Sequence, residues 1–376
     1  NVHRAARAAF AKPLPGHACT IAAMTATKEK VLLAMSGGVD SSVAAALLLE
    51  QGYDVTGVFL CIGNDSDTQS GGCCSPQDAS DANRVAHALG IPLHTLNVAE
   101  HFLPIIDYFA AEYLAGRTPN PCVLCNSSVK FGKLFHHADV IGARYVATAH
   151  YARVIHAAGG GAILRGEAVK KDQSYALFGV PRERLPRMLL PIGEVEDKTL
   201  VRGMAMELGL NVHDKPDSQE ICFVPDDDYP TLLATRAPDA LRAGDIVDSS
   251  GKVLGRHEGY ARYTVGQRRG LRVAAGEPMY VTKIDPATAT VTIGPRPEVL
   301  RSGLTASRVV WQQDVEPSFD ATVQIRYNHG GAPGRVVLNT NQSFHVQFDE
   351  PQAAITPGQA AVVYDGDRLL GGGWID

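Results

Sequence analysis

The chain has 376 residues, 45% hydrophobic and 20% charged, which is enough apolar side chain for two or three packed domains and too much for wholesale disorder. No apolar run reaches the roughly 18 to 20 residues of a membrane-spanning helix, so neither a span nor a membrane partner is expected. A net charge of −5 gives no global attraction to nucleic acid and leaves any RNA contact to a local patch.

Residues 1–27 contain Arg4, Arg7 and Lys12, and no acid precedes Glu29. They read as an extension that is unstructured or lies upstream of a start at Met24. The alternative is an organelle transit peptide. From residue 30 strands and helices alternate: strand 31–35, helix 43–51, strand 54–60, helix 78–89 ending at Gly90, strand 93–98, helix 102–115, strand 145–149. Units of this length imply a parallel sheet covered on both faces, a Rossmann-like α/β domain. After Pro225 the pattern changes to short strands punctuated by turn residues, at 245–247, 280–284, 290–293, 307–310, 321–325, 336–338, 343–348 and 360–364. The expected organisation is therefore a catalytic α/β domain over 28–224, a small β-rich domain over 225–299 and a C-terminal β-barrel over 300–376.

Between the first strand and helix stands Ser36-Gly37-Gly38-Val39-Asp40-Ser41-Ser42. Two glycines let the backbone approach an anion, N–H groups at the helix start point toward it, and three hydroxyls add donors. Asp40 suits phosphate only if it helps hold Mg²⁺ or orders the loop. Neither a Walker A lysine nor a GxGxxG fingerprint is present. In this setting SGGxDSS resembles the loop of ATP-pyrophosphatases, which split ATP into AMP and pyrophosphate to adenylate an oxygen of the substrate. The loop alone does not name the acceptor.

The seven cysteines are spread unevenly. Cys73 and Cys74 are adjacent in a Gly- and Ser-rich loop and have no assigned role. Cys122 and Cys125 form a CxxC; Cys19, Cys61 and Cys222 stand alone, Cys61 as a core residue. The pattern suits a reducing compartment in which thiols do chemistry or bind metal, and a cytoplasmic location is expected. Cys122 and Cys125 lie in Thr118-Pro119-Asn120-Pro121-Cys122-Val123-Leu124-Cys125-Asn126, and Cys222 in Asp217-Ser218-Gln219-Glu220-Ile221-Cys222-Phe223. With residues 147–153 (ATAHYAR), 171–175 (KDQSY) and 263–271 (YTVGQRRGL), these motifs make the chain resemble the tRNA-specific 2-thiouridylases over roughly residues 30–376.

The resemblance implies ATP-dependent adenylation of the C2 oxygen of the wobble uridine, then attack of a cysteine persulfide on C2. Cys222 would carry the persulfide, supplied by a cysteine desulfurase or sulfur-relay protein, and Cys125 would be the nucleophile that closes a disulfide with Cys222. Cys122 departs from the family, many of whose members carry Asp there. Three readings compete: it replaces that acid, it acts as the resolving thiol, or it joins Cys125 and Cys222 in holding zinc or a [4Fe–4S] cluster, which is the alternative sulfur route. Ala34, Met35, Ser36, Gly37, Gly38, Val39, Asp40 and Ser41 would line ATP, with Leu60 and Ala149 beside the nucleotide at the sheet's C-terminal edge. Relatives often have Gly at the position of Ala149.

Asn120, Pro121, Cys122, His150, Lys171, Asp172, Gln173, Arg326, Tyr327 and Gln359 match positions that contact tRNA. A strip with Lys252, Arg256, Arg262, Arg268, Arg269 and Arg272 against Glu258 alone, interleaved with Tyr260 and Tyr263, suits phosphate contact and base stacking. A monomer is expected. Two other classes stay open: an amide-forming ligase with the same ATP chemistry, and a non-catalytic RNA-binding or metal-carrying protein.

Overall fold

The computed structural model describes residues 28–62, 75–157, 160–216, 221–224, 228–339 and 342–376. The N-terminal extension, Cys73, Cys74 and the Asp217–Glu220 part of the Cys222 motif lie outside the described residues. The chain forms two compact units. One runs to Phe102 and takes in Cys125–Cys222; the other joins Leu103–Leu124 to Phe223–Asp376.

The first unit is built on five parallel strands, β1 (Lys30–Ala34), β2 (Asp54–Cys61), β3 (Leu93–Asn97), β4 (Tyr145–Ala147) and β7 (Met188–Leu189), in the order β3-β2-β1-β4-β7. A parallel sheet buries both faces, and Val31, Leu32 and Leu33 of β1 accordingly have no exposed surface. On one face Val31 and Leu33 meet α1 (Val39–Glu50), α2 (Pro76–Leu89) and α6 (Lys198–Glu207) through Val43, Leu48, Val85 and Met204. Strand alternation turns Leu32 to the other face, and α5 (Phe131–Ile141) packs against β1 and β4. The first unit also holds a hairpin of β5 (Ala152–Ala157) and β6 (Gly160–Arg165), whereas α3 (Ala99–Leu114), from Leu103 on, and α4 (Pro121–Leu124) belong to the second unit.

Three helices begin earlier than the apolar pattern suggests, α3 by three residues at Ala99. Gly38, in an extended conformation, caps α1 at Val39, four residues ahead of the expected start. Ser75 caps α2 in a reciprocal capping box with Asp78, with Pro76 in the first turn and Gly90 ending the helix in the left-handed region. The helices α5 and α6 and the hairpin are not legible in the sequence pattern above.

The second unit holds α7 (Tyr229–Arg236) and a four-stranded sheet in the order β10-β11-β8-β9, from β8 (Gly244–Val247), β9 (Val253–His257), β10 (Met279–Asp285) and β11 (Thr290–Pro295). It also holds a closed antiparallel barrel of β12 (Leu300–Trp311), β13 (Ser318–Gln324), β14 (Ala332–Leu338), β15 (Phe344–Ala353), β16 (Ala360–Asp365) and β17 (Arg368–Ile375). Its order β12-β15-β14-β13-β16-β17 is closed by β17 pairing back to β12. Residues 371–373, a Gly-Gly-Gly run, lie inside strand β17. A Cβ at Gly371 would lie 2.4 Å from the Val310 carbonyl, and one at Gly373 2.7 Å from that of Ser307, so glycine is what lets β17 close the barrel. The α/β domain, small β domain and closed barrel agree with the fold class expected above.

Both tryptophans of the chain, Trp311 and Trp374, sit in barrel strands, and the Trp311 ring is 5.5 Å from that of fully buried Phe344. Tryptophan fluorescence therefore reports the barrel alone. Phe344→Ala should lower its stability by about 3–5 kcal/mol, read as a lower urea midpoint by fluorescence; an unchanged midpoint would contradict this packing.

Candidate active site

In the first unit the chain leaves β1 toward β2 and β3 on one side and later returns to β4 on the other. That reversal opens a crevice at the C-terminal ends of β1 and β4, where open α/β sheets bind ligands. The Ser36–Ser42 loop leaves β1 at this point. Ser41 Oγ accepts from Ser36 N (3.2 Å) and donates to Gly38 O (3.2 Å), and Ser42 Oγ donates to Gly38 O at 2.8 Å. These serines shape the loop from within. Gly37 has φ +72°, and a Cβ there would fall 2.2 Å from the Asp78 carbonyl, so only glycine fits.

Two lysines absent from the sequence-based site hold the loop from outside. Lys215 Nζ donates to Gly37 O (3.0 Å), Asp78 Oδ1 (2.7 Å) and Asp81 Oδ2 (2.7 Å), while Asp81 also binds Arg84. Asp78 thus serves the capping box of α2 with one oxygen and Lys215 with the other. Burial pushes the Asp81 carboxyl up, but hydrogen bonds from Lys215 and Arg84 outweigh it and hold the group below the usual carboxylate range. Burial likewise pulls Lys215 down, and Asp78 and Asp81 outweigh it to raise the ammonium. The lowered Asp81 stabilises the fold above about pH 4 and loses this as pH falls; the raised Lys215 stabilises it below about pH 10 and loses this as pH rises. On the other side of the loop Asp40 accepts from Tyr151 Oη at 2.8 Å and from Lys198 Nζ at 2.8 Å. Lys215 stands two residues before the start of DSQEICF, and Tyr151 lies inside ATAHYAR. Those neighbourhoods are the only sequence signal for either residue.

The other nucleotide candidates share the same sheet edge: Ala34 and Met35 at the end of β1, Leu60 near the end of β2, and Ala149 just past β4, packed on the sheet core. A Cβ at Gly57 would lie 2.6 Å from Met35 Sδ, which accounts for a glycine inside β2. His150 is buried, with Nδ1 2.7 Å from Thr148 Oγ1 and its ring 6.1 Å from that of Phe131. Burial, then the nearby Lys130, holds its pKa well below the ordinary value, so it stays neutral.

Cys125 is buried and opens a π-helical turn, Cys125–Lys130, a distortion frequent at functional sites. Cys222 is half-buried and ends the first unit, and Cys122 is exposed on α4. Among the described residues no three or more His, Cys, Asp or Glu side chains converge as metal ligands do.

Several RNA candidates carry internal bonds. Asp172 accepts from Gly166 N (3.0 Å), Ser174 N (3.0 Å), Ser174 Oγ (2.9 Å) and Arg165 (3.0 Å). Gln359 Nε2 donates to the carbonyls of Thr118 (3.0 Å) and Pro119 (3.2 Å), bracing the loop that leads to Asn120, Pro121 and Cys122. Arg326 and Tyr327 are exposed on the turn after β13, held by Gln324 Nε2. Tyr260 and Tyr263 are not available as stacking platforms: both are buried, and Tyr260 Oη donates to Leu114 O at 2.9 Å. The alternation of basic and aromatic residues is there a core pattern. Arg268 and Arg272 instead line an open cleft of about 590 Å³ in the second unit, distinct from the phosphate loop.

Three family models match in chain order: a tRNA methyl transferase HUP domain over residues 29–226, a tRNA methyl transferase PRC-barrel domain over 231–295 and an aminomethyltransferase beta-barrel domain over 301–375. The fold is thus that of a HUP-type nucleotide-binding protein carrying a PRC-barrel and a closed β-barrel. Relatives named tRNA-specific 2-thiouridylase MnmA match nearly end to end. That of Rhodopirellula baltica is 48% identical, covering 92% of this chain and 96% of the relative; that of Carboxydothermus hydrogenoformans is 49% identical, covering 93% and 98%. That of Geobacter metallireducens is 46% identical, covering 93% and 97%. The chain belongs to the tRNA-specific 2-thiouridylase family.

Lys215→Met leaves Asp78 and Asp81 without their ammonium and frees the Gly37 carbonyl. Losing charge-assisted bonds of this kind should weaken ATP binding about tenfold or more, measured by calorimetry; wild-type affinity would show that the clasp does not shape the loop. Neutral buried His150 disfavours the fold once the unfolded chain takes up its proton, by about 1.4 kcal/mol per pH unit below ~6.5. His150→Gln should therefore shrink the loss of stability between pH 7.5 and 5.5 in denaturant titrations, and an equal loss in both proteins would contradict a neutral buried imidazole.

Proposed function

We propose that the protein is an ATP-dependent tRNA sulfurtransferase that converts the wobble uridine to 2-thiouridine, with the anticodon arm as its RNA substrate. The observation that carries this reading is a phosphate loop, held at the sheet's reversal point, in the same unit as Cys125 and Cys222. The α/β domain is assigned to residues 28–224, the small β domain to 225–299 and the barrel to 300–376.

The chemistry follows from the substrate. C2 of uracil is a poor electrophile, and its oxygen a poor leaving group. O2 attacks the α-phosphorus of ATP, pyrophosphate departs, and AMP becomes the leaving group on C2. ATP arrives as its magnesium complex. N–H groups at the start of α1 meet the phosphates, and Asp40, with both carboxylate oxygens engaged by Tyr151 and Lys198, places little net negative charge beside them. The terminal sulfur of a persulfide on Cys222, delivered by a cysteine desulfurase or sulfur-relay protein, attacks C2 as the C2–O bond breaks and AMP leaves. The Cys125 thiolate then attacks Sγ of Cys222. The S–S bond to the base breaks, its electron pair leaves C2 as the thiocarbonyl, and a Cys125–Cys222 disulfide forms. A thiol reductant reopens it. The base must first leave the anticodon stack, at a cost of about a few kcal/mol, which contacts along the arm from exposed Arg326 and Tyr327 would offset. We assign it a cytoplasmic, monomeric state.

The test is anaerobic thiolation of unmodified tRNA with ATP and a persulfide donor, with iron measured in the same sample. Iron-free protein should form 2-thiouridine; Cys222→Ala and Cys125→Ala should fall to background, and Cys122→Ala should keep most activity. Activity that tracks iron and needs all three cysteines would replace this mechanism with a cluster route. Absence of any thiolated product would favour the ligase reading.

A further inference from the structure

A run of hydrogen bonds connects the phosphate loop to the turn that carries Cys125, and it passes through the KDQS segment whose motif points to RNA contact. Asp40 Oδ1 accepts from Tyr151 Oη at 2.8 Å. The Tyr151 backbone is gripped twice by Gln173: Tyr151 N donates to Gln173 Oε1 (3.0 Å), and Gln173 N donates to Tyr151 O (2.8 Å). Gln173 O accepts from Ala176 N at 3.0 Å, and Ala176 O accepts from Asn126 Nδ2 at 3.0 Å. Asn126 is the residue after Cys125, inside the π-helical turn. Tyr151 and Asn126 are 2% and 3% exposed, so these two members of the path are shielded from water, where hydrogen bonds hold geometry most firmly. The four bonds that Asp172 accepts and the burial of Ser174 fix the middle.

We infer that Gln173 is a positioning residue that ties the phosphate loop to the Cys125 turn through Tyr151 and Asn126. Its side-chain oxygen and both backbone polar groups are spent inside the protein. Adenylation and sulfur transfer act on one carbon, so the α-phosphorus and the Cys125 thiolate must be presented to the same base, and misplacement of about 1 Å is enough to cost rate heavily. A hydrogen-bonded strut between the two supplies that fixed spacing. The inference rests on the reading that Cys125 acts at the base.

The experiment compares Gln173→Ala, Gln173→Glu and Asn126→Ala with wild type in the full-length protein. Gln173→Ala should lower kcat for 2-thiouridine formation about ten- to a hundredfold while the Kd for tRNA stays within about twofold. Gln173→Glu keeps an acceptor for Tyr151 N and should recover most of kcat. A weakened Kd with unchanged kcat at saturating tRNA would make Gln173 an RNA contact and overturn the inference. Alkylation of Cys125 in RNA-free protein, followed by mass spectrometry of its peptide, should be faster in Gln173→Ala and Asn126→Ala; wild-type rates in both would also overturn it. If Gln173→Ala does not fold, Asn126→Ala against Gln173→Glu makes the same comparison. An active Cys125→Ala would sink the functional reading, whereas the strut is judged by the alkylation rates, so the two failures are distinguishable.

Discussion

An anion site made from backbone N–H groups has no side chains of its own at its glycines, so its shape must be imposed from outside. Lys215 meets that constraint by fixing the Gly37 carbonyl between two carboxylates. Charge balance follows from the same contacts. Asp78 and Asp81 face Lys215 and Arg84, and Asp40 faces Lys198, so acids that would repel phosphate are matched before it arrives. Gly37 backs directly on the Asp78 carbonyl, which makes the loop and the start of α2 one assembly rather than neighbours.

The parts of this site visible in the sequence are local ones. A strand, seven loop residues and a helix are contiguous, and their glycines and hydroxyls state the chemistry. Lys215, the Asp78–Asp81 turn and Tyr151 come from three separate stretches brought together by the fold, and nothing in composition or periodicity marks them. Boundaries were legible where apolar period decides them and shifted where caps do, as at Gly38 and Ser75. The tyrosines at 260 and 263 show the converse limit: alternation with arginine looks like an RNA surface, but the side chains point into a core.

Bracing recurs in both units. Gln359 holds the Thr118–Pro119 carbonyls in the second unit, as Gln173 holds Tyr151 in the first. Each glutamine offers one flexible amide to backbone groups of a segment that lacks regular secondary structure, where no ladder or helix would otherwise satisfy them. Asx- and Gln-type braces of this sort let short functional loops stay irregular yet ordered. Exposed Arg326 and Tyr327, by contrast, sit on a turn, the usual place for recognition residues on a rigid barrel.

Cys125 opens, and Cys222 ends, the second stretch of chain that builds the first unit. A disulfide between them is therefore also a topological event: it ties off a loop of nearly 100 residues that holds β4, β7, α5, α6, Tyr151, Gln173 and Lys215. Closing a loop of that size removes chain entropy from the unfolded state equivalent to about 4.7 kcal/mol. Under the proposed mechanism each turnover would leave the nucleotide unit covalently cinched and each reduction would release it, so the spent enzyme would be the harder one to unfold and the recharged one the softer. Resistance to heat and to proteases then becomes a running record of how much of the population has transferred its sulfur.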